Sequence, residues 1–214
     1  MSKVRVHGFT ISIDGYGAGP NQTMETPLGA GAEDLHAWMI KTDHFQKLYG
    51  DGEGAKGIDN DFTERGFANI GAWILGRNMF APTRGKWMDE SWKGWWGENP
   101  PYHSDVFVLT HHPRPSIAMD GGTTFHFVTE GIHVALERAR VSANGKDIRI
   151  GGGVSVVRQY LQERLVDEMH IPISPIVLGT GEHLYTGINL LELGYKLTEQ
   201  VSTPDAMHLV FTKQ

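Results

Sequence analysis

The residues best suited to chemistry are three consecutive glycines that directly follow a short apolar strand. The strand covers residues 148–150, the glycines are Gly151-Gly152-Gly153, and an apolar helical pattern runs from Val154 to Leu165. Glycines at such a junction let backbone amides approach an anion, and the helix N-terminus adds partial positive charge. Ser155 would add a hydroxyl group. A tight turn without a ligand is the alternative, and the incomplete G-x-G-x-x-G pattern argues against a Rossmann domain.

Two other predicted strands end in basic turns. Residues 72–75 lead into Gly76-Arg77-Asn78, and residues 106–109 lead into Thr110-His111-His112-Pro113-Arg114. Arginine binds phosphate with two parallel hydrogen bonds, and hydroxyl and imidazole groups suit a phosphate monoester. Alone, the first turn is often only a capped turn with a surface salt bridge, and the second is more often an ordinary polar loop. Because ligands of open α/β sheets collect at the carboxyl ends of strands, the three turns together predict a dinucleotide with an extra phosphate.

The elements that carry these turns alternate between strands and helices, and the last two strands are consecutive. Those last strands cover residues 195–201 and 207–212. This order predicts an α/β fold with a mixed, mainly parallel central sheet, an antiparallel C-terminal edge and helices on both faces. Pro172 and Pro175 predict an edge or bulged strand over residues 169–178. No linker or repeat divides the sequence, so one domain over residues 1–214 is expected.

The composition excludes several classes of site and partner. The 214 residues carry a net charge of −6, which argues against nucleic-acid binding. Cysteine is absent, which excludes disulfides, thiolate metal sites and cysteine nucleophiles. The eleven histidines form no ligand array, so no metal is expected. With no apolar stretch of about 20 residues and no signal segment, the sequence predicts a cytoplasmic protein with no membrane partner.

Five motifs in order give the sequence a family resemblance. They are Ile13-Asp14-Gly15, Leu75-Gly76-Arg77-Asn78-Met79, Leu109-Thr110-His111-His112-Pro113-Arg114, Ile150-Gly151-Gly152-Gly153 and Pro175-Ile176-Val177-Leu178-Gly179. The chain resembles the dihydrofolate reductase-like superfamily over nearly its whole length, from about Lys3 to Phe211. Within it, the chain is most similar to the C-terminal reductase domain of the bifunctional riboflavin-biosynthesis deaminase/reductase. No deaminase domain is present, because its zinc-ligand cysteines are absent.

The resemblance implies a three-layer αβα fold with NADPH bound across the strand ends. The basic turns would hold the adenosine 2′-phosphate and pyrophosphate, the triple glycine would cover the pyrophosphate, and the backbone near Thr10 would meet the nicotinamide amide. The implied coenzyme residues are Thr10, Gly76, Arg77, Asn78, Thr110, His111, Arg114, Gly152, Gly153, Val154 and Ser155.

Two acidic residues are candidates for the catalytic group. Asp14 matches the acid of riboflavin-type reductases, whose implied role is to hold substrate hydroxyls or to assist proton transfer. Asp34, at the start of a predicted helix, could act as the proton relay of a dihydrofolate reductase, although an aspartate there also suits the helix dipole. Asp14 is the slightly better match.

A tryptophan-rich segment, residues 87–102, has no counterpart in reductases of ordinary size. It could stack on a flat heterocycle, pack as an insertion or contact another subunit; packing or a homodimer interface is favoured. The sequence predicts an NADPH-dependent reductase that transfers hydride to a C=N or C=O carbon of a small heterocyclic or sugar-linked substrate. The alternatives are a dihydrofolate or pterin reductase, which needs Asp34 in the pocket, and a non-catalytic NADPH-binding module.

Overall fold

The computed structural model describes residues 2–50, 52–81 and 84–214. Its strands are β1 (Val4–His7), β2 (Ile11–Ser12), β3 (Tyr16–Ala18), β4 (Ile70–Gly76), β5 (Asp105–Leu109), β6 (Ile117–Ala118), β7 (Thr124–Val128), β8 (Asp147–Gly152), β9 (Glu168–Ser174), β10 (Glu182–His183), β11 (Tyr195–Ser202) and β12 (Met207–Lys213). Its α-helices are α1 (Ala37–Ile40), α2 (Asp43–Tyr49), α3 (Ile58–Phe67), α4 (Arg77–Phe80), α5 (Ile132–Ala143) and α6 (Val154–Gln162). Short 3₁₀ helices cover Glu33–His36 and Asp120–Gly122.

One large sheet organises the molecule, with strand order β11-β12-β9-β1-β8-β4-β5-β7-β6. The strands from β9 to β7 pair in parallel, whereas β12 and β11 are antiparallel at one edge and β6 is antiparallel at the other. The predicted α/β fold, with its mainly parallel centre and antiparallel C-terminal edge, is confirmed. Strands β3 and β10 form a separate two-stranded sheet.

The prediction that the proline-containing strand lies at an edge or carries a bulge is wrong. Strand β9 lies inside the sheet, with β12 on one side and β1 and β2 on the other. On that second side, β9 pairs with β1 as far as His170 and with β2 from Ile173 onward. Pro172 lies in the gap between these two pairings, where the missing N–H is tolerated. The gap exists because the chain breaks its pairing at Gly8, whose φ is +66°.

The first face of the sheet is apolar and is covered by α5 and α6. Alternate residues of the central strands, including Val4, Ile74 and Ile150, are fully buried there with Leu161 of α6 and Ala139 of α5. Because side chains alternate along a strand, the residues between them face the opposite side. The central strands are therefore buried on both faces, as expected for a parallel sheet.

The second face carries buried cations that bind the end of helix α3. Arg5 donates to the carbonyl oxygens of Arg65 and Ala68, and Arg149 donates to that of Gly66. The carbonyls of Arg65 and Gly66 belong to the last turn of α3, and Ala68 directly follows the helix. Carbonyls at a helix C-terminus carry partial negative charge and have no intrahelical partners. These buried polar residues, which we call the polar strip, hold α3 against the second face of the sheet. An apolar surface there would leave the backbone carbonyls without hydrogen-bond donors.

A chain of histidines continues this polar strip. The Gly8 N–H donates to His170 Nδ1 over 3.2 Å, so the neutral His170 ring carries its proton on Nε2. That Nε2 lies 3.0 Å from His208 Nδ1, and His208 Nε2 lies 2.8 Å from Asp59 Oδ1. Burial holds the pKa of His170 well below its ordinary value, so the ring stays neutral at pH 7. This chain of hydrogen bonds links Asp59 of α3 to Gly8, at the break between β1 and β2.

Candidate functional site

A cleft of about 980 Å³ opens at the carboxyl ends of the central parallel strands. Its walls include the residues that follow β8, β4, β5 and β7, together with the break between β1 and β2 at residues 8–10. Further parts of the wall come from β3 and β10, the loop 22–29, the 3₁₀ helix Glu33–His36 with α1 and α2, and the tryptophan-rich segment. The cleft therefore lies where open α/β sheets bind their ligands.

Most of the residues predicted to bind a coenzyme line this cleft. Those on its wall are Thr10, Gly76, Arg77, Asn78, Thr110, His111, Gly153, Val154 and Ser155. They come from four different segments of the sequence and meet because their strands end at the same edge of the sheet. Their binding roles stay predictions.

The glycine turns allow a close approach between β4 and the start of α6. A Cβ atom on Gly76 would lie 2.8 Å from Val156 Cγ2, and one on Gly152 would lie 2.8 Å from a ring carbon of Phe9. Gly152 is buried with a φ of +117° and is absent from the cleft wall, so it shapes the turn from behind. A Cβ on Gly153 would meet nothing within 4 Å. The open backbone at Gly153 and the N-terminus of α6 suit an anion.

Arg77 lines the cleft and has buried hydrogen-bond donors without a partner in the described part of the chain. Its guanidinium lies 3.2 Å from the centre of the Trp87 ring, and Nη1 donates to the Gly85 carbonyl oxygen over 3.0 Å. Its Nε and Nη2 are buried, and neither has a partner among the described residues. A buried donor without a partner costs free energy, which an acidic ligand would recover.

Arg114 is absent from the cleft wall. Its Nη2 donates to the backbone carbonyls of Glu90 and Trp92, so it braces the tryptophan-rich segment. Its Nη1 is buried without a partner in the described part of the chain. Both guanidinium groups lie against the Trp87 ring, with their central carbons 3.2 Å (Arg77) and 5.0 Å (Arg114) from its centre. Burial and the nearby charge of Arg114 lower the pKa of Arg77. Two like charges at one end of the cleft fit a coenzyme with an extra phosphate.

The tryptophan-rich segment divides between packing and the cleft. Trp87 and Trp92 pack in the apolar cluster of Phe80 and Phe125 on the second face of the sheet. Trp95 and Trp96 line the cleft. Trp87 and Trp92 therefore pack in the fold, which was the favoured expectation. Trp95 and Trp96 instead line a cleft, which is where the alternative of stacking on a heterocycle would place them.

Neither predicted catalytic acid lies on the cleft wall. The Asp14 carboxylate accepts hydrogen bonds from the Ser12 hydroxyl and from the backbone amides of Leu178 and Gly179. The Ser12 hydrogen bond is the main cause that lowers the pKa of Asp14 to about 2. Asp14 thus joins the loop after β2 to the loop after β9. Asp34 is exposed and also absent from the cleft wall.

Two neighbours of Asp34 line the cleft instead. Glu33 and His36 are three residues apart on the 3₁₀ helix, so their side chains project from one face while Asp34 projects from another. Burial lowers the pKa of His36 to about 4, which leaves a neutral imidazole at pH 7. The sequence did contain a signal for this pair, because Glu33 and His36 have the i, i+3 spacing of residues on one helix face. Only Asp34 of this segment was predicted as a site residue from the sequence.

Thr10 has its hydroxyl fixed from behind. The indole Nε1 of Trp38 donates to Thr10 Oγ1 over 2.9 Å. Trp38 is buried, and its ring packs edge-on against His170 and His208. The oxygen accepts this hydrogen bond, and the hydroxyl can still donate one of its own.

Two other classes of site are absent from residues 2–50, 52–81 and 84–214. No group of three His, Cys, Asp or Glu side chains there is arranged to hold a metal ion. No helix in the same ranges is long and apolar enough to cross a membrane.

Comparison with known families decides which proteins this chain is related to. The family model of the RibD C-terminal domain matches residues 4–209. The chain belongs to the RibD C-terminal domain family. The family resemblance read from the sequence motifs is therefore confirmed, and membership of this family supports a reductase of the riboflavin-biosynthesis type.

Individual relatives of this RibD C-terminal domain protein are distant. The uncharacterized protein YwjB of Bacillus subtilis (strain 168) is 32% identical over 85 residues, which are 39% of this chain. The matched region spans about half (48%) of that curated relative.

Solved structures show the same fold at low identity. The crystal structure of a protein assigned to riboflavin biosynthesis from Shewanella sp. PV-4 has 18% identity and a TM-score of 0.58, with 100% of this chain and 99% of that chain covered. The diaminohydroxyphosphoribosylaminopyrimidine deaminase/5-amino-6-(5-phosphoribosylamino)uracil reductase of Thermotoga maritima has 11% identity and a TM-score of 0.55. That alignment covers 100% of this chain and 57% of the Thermotoga chain.

Proposed function

We propose that this protein is an NADPH-dependent reductase that transfers hydride to a C=N or C=O carbon of a small heterocyclic or sugar-linked substrate. The observation that carries the proposal is the cleft at the ends of β8, β4, β5 and β7, with unpartnered guanidinium donors of Arg77 beside it. The related Thermotoga maritima protein is by name a 5-amino-6-(5-phosphoribosylamino)uracil reductase. The compound in that name is a sugar-linked heterocycle.

The coenzyme would lie along the strand ends. Arg77, with Arg114 behind it, would hold the extra phosphate, and Thr110 and His111 would border it. The backbone from Gly153 onward, at the N-terminus of α6, would hold the pyrophosphate. When bound, NADPH supplies the hydride and leaves as NADP⁺.

The chain's own residues orient the substrate and hold protons. The substrate carbon gains the hydride, its nitrogen or oxygen gains one proton, and the C=N or C=O double bond becomes a single bond. Thr10 offers its hydroxyl and His36 the N–H of a neutral ring as hydrogen-bond donors to the substrate. Glu33 lies on the same face as His36 and supplies a carboxyl group to the cleft. Asp14 and Asp34 lie off the cleft wall, so these groups would hydrogen-bond the nitrogen or oxygen that is reduced, and the proton itself would come from solvent water.

The dihydrofolate or pterin reductase alternative required Asp34 in the pocket. Because Asp34 is exposed outside the cleft wall, no observation favours that reaction over the broader class. A non-catalytic NADPH-binding module is distinguished by its lack of turnover with any heterocyclic substrate.

Calorimetric titration with NADPH and with NADH tests the proposal. We expect NADPH to bind at least about tenfold more tightly, because only its 2′-phosphate reaches the guanidinium groups. Equal affinity for the two coenzymes, or no saturable binding of either, contradicts the proposed function.

A further inference from the structure

The cleft has two chemically different halves. The first is built from the turns after β8, β4, β5 and β7, which are assigned above to the coenzyme. The second, which we call the helix-side half, is formed by residues 8–10, the loop 22–29, Glu33 to Phe45, and Trp95 with Trp96. The loop 22–29 begins at the boundary of the two halves, where Asn78 donates to Gln22 Oε1 over 3.4 Å. In the sheet, β8, β4 and β5 lie between β1 and β7. Residues 8–10, which follow β1, are therefore at the opposite end of the cleft from the turn after β7.

Apolar and aromatic side chains dominate the helix-side half. Phe9, Met39, Phe45 and Trp96 all line it. The ring centres of Trp96 and Tyr49 are 4.4 Å apart, and those of Tyr49 and Phe45 are 4.5 Å apart. The tryptophan-rich segment thus closes against α2 and gives the half a continuous aromatic rim. Such a rim suits a flat ring, which gains dispersion and stacking contacts.

The charged groups of this half are acidic. Glu25 and Glu33 line it, and no lysine or arginine among the described residues of this half does so. The cleft's two arginines, Arg77 and Arg84, both follow β4, and Arg84 lies 3.3 Å from the carboxylate of Glu182. An anionic substrate group in the helix-side half would therefore lose water beside carboxylates without gaining a cation.

We propose that the helix-side half takes a flat heterocycle that is neutral or cationic and carries no phosphate or carboxylate. This inference rests on the proposed function, because it identifies the substrate that would receive the hydride. The rim of Phe45 and Trp96 provides stacking, and Glu25 and Glu33 favour positive charge. Thr10 and His36 supply the hydrogen bonds that orient the ring. Since burial keeps His36 neutral at pH 7, the imidazole adds no cation for an anionic group.

The test uses one flat scaffold with three charges: 6-methylquinazoline, 6-(aminomethyl)quinazoline and 6-(phosphonomethyl)quinazoline. Their dissociation constants are measured by calorimetry at pH 7.5, with and without saturating NADP⁺. We expect the neutral and cationic ligands to bind at least about tenfold more tightly than the phosphonate. The inference is overturned if the phosphonate binds as tightly as the others, or if none of the three binds saturably.

Two variants separate the local effect from the protein's overall negative charge. In Glu25→Gln/Glu33→Gln, the ratio between the cationic and phosphonate affinities should shrink at least about threefold. The control Glu90→Gln/Glu98→Gln removes the same charge from exposed positions outside the cleft and should leave the ratio unchanged. Equal effects of the two double variants would show that only net charge is being measured and would overturn the inference.

A third variant tests the aromatic rim. Trp96→Ala should weaken the neutral and cationic ligands about tenfold and leave NADPH affinity unchanged. Normal NADPH binding with a reversed ligand order counts against the substrate class alone. Loss of NADPH preference with the expected ligand order counts against the proposed function alone.

Discussion

At the scale of single residues, Arg77 is the side chain on which coenzyme selectivity depends. Its Nε and Nη2 have no partner among the described residues, whereas Nη1 is used by the Gly85 carbonyl. We expect Arg77→Met to weaken NADPH binding by about ten- to a hundredfold, since a hydrogen bond to a charged group contributes about 1.5 to 3 kcal/mol. NADH affinity should change less than about threefold in the same calorimetric titrations.

Arg84→Met is the matched control for this prediction. Arg84 also follows β4 and lines the cleft, but its exposed side chain is paired with Glu182. NADPH affinity should stay within about threefold of the unsubstituted protein. A larger loss in Arg84→Met than in Arg77→Met would contradict the assignment of the phosphate to Arg77.

His36 gives a residue-scale prediction about pH. Its pKa in the folded protein is about 4 because of burial, below the ordinary value of 6.5. The unfolded chain therefore binds a proton at a higher pH than the folded protein does. The stability from the neutral ring is complete above pH 6.5 and is lost progressively as the pH falls toward 4.

Urea unfolding at pH 7.5 and 4.5 measures this contribution. When the pH is lowered from 7.5 to 4.5, the unfolding free energy of the unsubstituted protein should decrease. In His36→Gln this decrease should be about 2 kcal/mol smaller. His133→Gln removes a histidine whose side chain is 68% exposed, and its fall should match that of the unsubstituted protein. An unchanged fall in His36→Gln would show that His36 is not kept neutral by its surroundings.

At the scale of secondary-structure elements, α3 depends on the cations beneath its C-terminus. Arg149 is buried, donates to the carbonyls of Gly66 and His7, and lies 4.7 Å from the ring centres of Phe67 and Trp73. Arg149→Met keeps the aliphatic stem but leaves both buried carbonyls without this donor. We expect the unfolding free energy to fall by about 3 kcal/mol in urea denaturation.

Arg140→Met provides the comparison for α3. Arg140 lies in the last turn of α5 and is exposed, so its loss should cost less than about 1 kcal/mol. Similar losses in the two variants would mean that the cation under α3 is unimportant. Arg149→Met should also leave the NADPH preference intact, because Arg149 is absent from the cleft wall.

The elements also show which parts of the site sequence reasoning can reach. The turns at Gly76, Thr110 and Gly151 were predictable because apolar strands and glycine turns are local signals. The helix-side half was not, since Trp96 meets Tyr49 only through long-range packing and the local i, i+3 spacing of Glu33 and His36 was not used. The interior place of β9 was missed because Pro172 is accommodated by a break in the neighbouring strand. The predicted homodimer and cytoplasmic location stay predictions.

At the scale of the whole molecule, coenzyme binding should stabilise the fold. The cleft takes residues from strands, helices and loops distributed from residue 8 to residue 182, so a ligand there contacts distant parts of the chain. At a free NADPH concentration about 100 times its dissociation constant, binding contributes about 2.7 kcal/mol. For a chain of this size, Tm should rise by about 5 to 10 °C in a calorimetric scan.

NADH at the same concentration is the control for the thermal measurement. Its weaker binding should raise Tm by no more than about half as much as NADPH does. Equal shifts with the two coenzymes would mean that the 2′-phosphate makes no contact with the fold.

The crystal structure of the protein, determined from a crystal soaked with NADPH, tests the proposed coenzyme site most directly. We predict electron density along the carboxyl ends of β8, β4, β5 and β7, with a phosphate in hydrogen-bond contact with Arg77 and the nicotinamide beside Thr10. Density for the coenzyme elsewhere on the molecule, or a phosphate that makes no contact with Arg77, would contradict this placement.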